Sequence, residues 1–168
     1  MPSAEEGIPP EPPAPSKGPG MPEHIYEVRP MTTTDTGRAS VSVMLIVPDA
    51  QAAVSWYKTA LGAAELWNLG GVAGLHLRGA PFMLHQAVPG RKTEPSPIDV
   101  GLTTTRIEVF VDDPGELIDQ AAEAGATDVR PLTDHEAPWG THQQGGFTDP
   151  FGHRWSVGDR TPLRPYSP

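Results

Sequence analysis

With 168 residues, a formal charge of -9 and no cysteine, the chain has room for one ordinary domain or two small fused modules. The charge argues against nucleic acid or an anionic membrane as partner, since both attract basic surfaces, and no apolar run reaches the roughly 20 residues of a membrane helix. Lacking cysteine, the chain has no disulfides, thiolate metal sites or cysteine nucleophiles.

Nine of the 21 prolines fall within the first 30 residues, together with Glu5, Glu6, Glu11 and Glu23. Such a segment buries too little apolar surface to offset its ordering entropy, so residues 1–39 are expected to be a disordered tail. Its one alternative role is a lid or partner-binding arm around His24, Ile25, Tyr26 and Val28. The segment has no basic start followed by an apolar run, so a secretory signal is not expected and a cytoplasmic protein is.

From Val41 the texture changes. Val41–Val47 is an apolar run of strand length. Asp49 is placed to cap a helix, Ala53, Trp56, Tyr57 and Ala60 share one helical face, and Gly62 ends it. Strands are expected over 63–69, 72–78 and 81–88, punctuated by glycines 70, 71, 74 and 79. After a Pro/Thr-rich connection the order returns. A strand covers 106–111, and Asp113-Pro114-Gly115-Glu116 opens a helix that Gly125 closes. Strands over 126–131, 141–148 and 153–157 complete the second set. Val47-Pro48-Asp49 overlays Val111-Asp112-Asp113 at an offset of 64 residues, so the chain reads as two βαβββ modules, about 41–89 and 104–158, within a domain spanning 40–160. Residues 161–168 are expected to be a C-terminal tail.

The closing run Phe147-Thr148-Asp149-Pro150-Phe151-Gly152-His153-Arg154-Trp155 reads as strand, tight turn and strand. Together with the repeated order it resembles the vicinal oxygen chelate superfamily, which includes glyoxalases, extradiol dioxygenases and bleomycin-resistance proteins. The resemblance covers about Val41 to Asp159. It implies an α+β fold in which two βαβββ modules form an eight-stranded, cup-shaped mixed sheet with helices on the outer face. By analogy it also implies a homodimer.

In that family's metal enzymes, His, Gln or Glu ligands face the cup from the first and last strand of each module. Strand alternation and the 64-residue offset place Ser42, Met83, Arg106 and Ser156 at those positions. This set suits a hard divalent cation poorly, so no metal and no cofactor are expected. A register shift of two residues would bring His85 and Glu108 forward, with His142 as a third ligand. Parity puts Met44, Arg106, Glu108 and Phe110 on the inner face with Met83 and His85 across from them, and Trp67, Trp139 and His142 at the rim. Such a wall suits a partly aromatic small molecule, with Arg106 holding an oxygen of the ligand. The plainer readings are an Arg106–Glu108 pair, Met44 and Met83 as packing, Trp67 and Trp155 as core aromatics, and a structural His153.

The leading expectation is therefore a metal-free protein that sequesters a compound such as an antibiotic or pathway intermediate. The alternative is a metal-independent isomerase, cyclase or lyase of natural-product biosynthesis. There His85 or Glu108 would be the general base and Arg106 would stabilise an oxyanion.

Overall fold

The computed structural model describes residues 40–165. The expected tail over 1–39, with the arm around Tyr26, lies outside these residues, as do the last three. The apolar run forms β1 (Val43–Val47), with Leu45 and Val47 buried, Ile46 between them partly exposed, and Met44 before them half exposed. Asp49 then caps α1 (Ala50–Leu61) by accepting from the amides of Gln51 and Ala52 at 2.9 and 3.0 Å. Gly62 stops the helix in the left-handed region at φ 63°. Three antiparallel neighbours follow: β2 (Ala64–Asn68), β3 (Val72–Leu77) and β4 (Ala80–Gln86). The last lies parallel to β1, giving the order β1-β4-β3-β2.

A short helix, α2 (Pro97–Val100), lies in the connection, where only an irregular link is expected from the sequence. The second module repeats the first. β5 (Arg106–Phe110) leads to α3 (Pro114–Glu123), whose cap Asp113 accepts from the Glu116 amide at 2.9 Å. β6 (Thr127–Ala137), β7 (Gly140–Thr148) and β8 (Arg154–Gly158) complete a sheet ordered β5-β8-β7-β6, with β5 and β8 parallel. The α+β architecture of two βαβββ modules is thus as the sequence implies, its eight strands divided between two mixed four-stranded sheets. Thr161–Leu163, within the expected tail, form a 3-10 turn.

The modules meet through aromatic packing around the closing turn. Asp149 is 2 % exposed and has every acceptor position used. One oxygen takes the Tyr57 hydroxyl at 2.6 Å and the Trp155 indole at 2.8 Å; the other takes the amides of Phe151 and His153 at 3.0 and 2.9 Å. A buried carboxylate is tolerated only when it is so satisfied. Burial, reinforced by the Asp149 charge and its hydrogen bond, pushes the Tyr57 phenol well above its ordinary value. The Trp56 indole of α1 donates to the Ala124 carbonyl beyond α3 at 2.8 Å. Trp155 and Phe147 stack with ring centroids 6.1 Å apart. Trp155 and His153 are structural here: His153 Nε2 donates to the Ile46 carbonyl at 3.0 Å, tying the turn to β1. Burial lowers the His153 value, against the Asp149 charge and the Ile46 hydrogen bond, which raise it.

Candidate functional site

Each sheet packs one face on its helix and leaves the other without one. Residues paired across neighbouring strands point to the same face, so register assigns that second face row by row. On the first sheet one row runs Met44, Met83, Gly74, Trp67 across all four strands. The Trp67 ring lies over Gly74: a Cβ there would fall 2.6 Å from the indole. The glycine is therefore what lets the ring lie against the sheet. Trp67 is 39 % and Met44 48 % exposed. The neighbouring row holds Ile46, His85 and Val72. His85 Nδ1 donates to the Gln86 carbonyl at 2.7 Å. Ser42 donates to the Pro81 carbonyl at 3.2 Å, at the outer end of β1.

The second sheet repeats this plan with different groups. Its row runs Glu108, Ser156, Gly146, Arg130. The Arg130 guanidinium crosses Gly146, which has no room for a Cβ between it and the Trp155 carbonyl, and donates to that carbonyl at 2.9 Å. Arg106 pairs with Glu108, as the plainer sequence reading anticipates. Arg106 stands directly beside Arg154 on β8. Farther along, Trp139, His142 and His135 gather at the β6–β7 hairpin, the two imidazoles paired across the strands with centroids 5.3 Å apart. His142 Nδ1 is buried without a hydrogen-bond partner among the described residues.

A cavity of about 370 Å³ opens on this second face, lined by Arg106, Arg130, Arg154, His135, Gln144 and Ser156 among others. A second cleft of about 400 Å³ follows the free edge of β5, with Val43, Phe82, Ile107, Phe110 and Leu163 in its walls. The first holds the polar groups able to orient a ligand; the second is mainly apolar and wraps the junction between modules. Met83 and His85 line neither, and the cavity that holds Arg106 is built wholly from the second module. The two expected walls therefore do not bound one cavity within a chain. His85 and Glu108 belong to different sheets and are each bonded elsewhere. Among the described residues no three His, Asp or Glu side chains gather as a metal would require.

Arg130, Arg154 and His135 went unread in the sequence. The pairing of β6 shifts on both sides of Arg130, and Asp128 sits in the left-handed region at φ 46°. Bulges of this kind defeat counting by twos. Arg154 was legible in principle, two residues before Ser156 on one strand.

The Glyoxalase/Bleomycin resistance protein/Dioxygenase superfamily model matches residues 40–157. Over 128 residues the chain is 36% identical to the uncharacterized protein Mb0911c of Mycobacterium bovis, covering 71% of this chain and 82% of that one. The uncharacterized protein Rv0887c of Mycobacterium tuberculosis matches at the same 36%, over 71% of this chain and 73% of its own. Among solved structures, TioX from Micromonospora sp. ML1 superposes with a TM-score of 0.55 at 27% identity, covering 72% of this chain and 98% of TioX. A bleomycin-binding protein solved with bleomycin shares the fold, with a TM-score of 0.53 at 16% identity over 73% of this chain and 98% of that one. No helix among the described residues is long and apolar enough to cross a membrane. The match of the family model over both modules, on a fold of two βαβββ units, means that the chain belongs to the glyoxalase/bleomycin resistance protein/dioxygenase superfamily.

Proposed function

We propose that the protein is a metal-free small-molecule-binding protein that sequesters a bulky, partly aromatic compound, such as an antibiotic or pathway intermediate, as a homodimer. The observation that carries this reading is Trp67 laid over Gly74 beside Met83 and Met44, an exposed aromatic and thioether platform of the kind that takes planar ligands. The cavity on the second sheet has no large aromatic in its own wall. A second copy, presenting its Trp67 face to that cavity, supplies one. The groups at the expected metal-facing positions, Ser42, Met83, Arg106 and Ser156, are a serine hydroxyl, a thioether, a guanidinium and a second hydroxyl, which favour hydrogen bonding and packing over a hard cation. Likeness of fold to a bleomycin-binding protein agrees with sequestration. The enzymatic alternative needs His85 and Glu108 to converge on one ligand atom, and in this chain they bond to Gln86 and Arg106 instead.

The test is to titrate the protein with planar aromatic probes, with and without added manganese, iron, nickel or zinc, and to recover each probe. Binding that is unchanged by metal, recovery of intact compound, and about tenfold weaker binding by Trp67→Ala (~1.4 kcal/mol of lost stacking) are expected. Turnover of a probe would replace this reading with the enzymatic one.

A further inference from the structure

Three arginines line the cavity on the second sheet: Arg106, Arg130 and Arg154. No acidic side chain lines it, although the chain as a whole carries -9. Resting on the binding reading above, we infer that this cavity is an anion pocket and that the compound it takes carries a carboxylate or phosphate group.

The arrangement of the arginines supports this. Arg130 is fixed before any ligand arrives. Its guanidinium is held over Gly146 by the Trp155 carbonyl at 2.9 Å, with a longer bond to the Asp128 carbonyl at 3.4 Å. Carbonyl oxygens hold the guanidinium in place without neutralising its charge. Arg106 and Arg154 are register partners on adjacent parallel strands, whose backbones run roughly 4.8 Å apart. Like charges set side by side on one sheet face are unfavourable. Glu108 balances Arg106, but among the described residues Arg154 forms no ion pair. Asp128 shares the adjoining groove with Arg154 and does not line the anion pocket. A folded chain that keeps two neighbouring arginines with one counter-charge breaks a local rule, and such breaks mark functional sites. An anion between them removes the repulsion, and the planar fork of each guanidinium suits two-oxygen groups such as carboxylate and phosphate. Ser156, Gln144 and Thr133, also in the wall, supply neutral hydrogen bonds. An anionic ligand also corrects the simplest inference from net charge, that an acidic protein attracts cations: the local field of the pocket opposes that of the whole surface.

The experiment is calorimetric titration of the full chain with 2-naphthoate, 2-naphthyl phosphate, the neutral 2-naphthamide and the cation 2-naphthylmethylammonium, repeated with Arg154→Gln. One or both anions should bind at least tenfold more tightly than the amide, and the cation most weakly; the tighter anion names the group. Arg154→Gln should cut that preference by about tenfold, weakening the anions more than the amide. A melting-temperature series in phosphate against chloride at matched ionic strength gives a readout independent of the aromatic body. Phosphate should stabilise the native chain more than it stabilises Arg154→Gln. Equal binding of anion and amide, or a preference that survives Arg154→Gln, overturns the anion pocket and leaves the binding reading standing. Failure of every naphthyl probe, with phosphate stabilisation intact and dependent on Arg154, overturns the aromatic reading and leaves the anion pocket standing. Failure of both readouts overturns both.

Discussion

Gly74 on β3 and Gly146 on β7 occupy matching places in the two sheets, and each lets a large side chain from the edge strand lie across it: Trp67 on the first sheet, Arg130 on the second. Beside them stand Met83 and Met44 on one sheet, Ser156 and Glu108 on the other. The plan is conserved between the halves of the molecule while its chemistry has diverged, one face aromatic and apolar, the other cationic and polar. The same geometry recurs in both sheets, and the residues at four positions per sheet give it two surfaces of different character. The second surface is the more constrained. Arg130 is tied to the main chain at Trp155, whereas Trp67 is partly in solvent and free to give way.

The comparison is broken most severely at the turn that joins the halves. Asp149→Ala strips the acceptor from four buried donors, at a cost of about 3–5 kcal/mol. Urea denaturation should show one cooperative transition at a much lower midpoint; two separate transitions would mean that the modules stand independently, and a loss below about 1 kcal/mol that water replaces the carboxylate. Next comes the contrast between the two glycines. Gly146→Ala drives a methyl into the Trp155 carbonyl and should cost about 3 kcal/mol, whereas Gly74→Ala meets only a partly exposed indole and should cost about 1 kcal/mol. Equal losses would show that the Trp67 indole yields no more readily than the main chain at Trp155.

The smallest effect is one of pH. The value of His153 lies below its ordinary 6.5 when folded, so the folded chain holds this imidazole neutral. Its contribution is present above pH 6.5 and is lost as pH falls through the lower folded value, because the unfolded chain takes up the proton first. Stability should therefore decline on mild acidification, and His153→Gln, which keeps an N–H donor for Ile46, should flatten that limb relative to the native curve. An unaltered limb would assign the decline to carboxylates alone.

Much of this architecture could be read from the residues. The offset relating Val47 to Val111, the caps Asp49 and Asp113, and the strand alternation at Leu45 and Val47 are local signals, and each kept its meaning in the fold. The pairing of Arg106 with Glu108 followed from two residues on one strand face. What failed did so for reasons of register. Arg130 needs two register shifts in β6 to face the site, so counting from either end of that strand loses the face. That His85 and Glu108 share no cavity depends on how the modules dock, which no local pattern records.

The four tryptophans fall into two environments: Trp155 is 2 % exposed and Trp56 partly buried, while Trp67 and Trp139 are 39 % and 45 % exposed. Intrinsic fluorescence should accordingly resolve into a blue-shifted component that iodide cannot reach and a red-shifted one that it quenches. Replacing Trp139 with phenylalanine would leave the quenchable emission to Trp67 alone, giving the platform over Gly74 an optical signal of its own and reporting directly when that surface is covered.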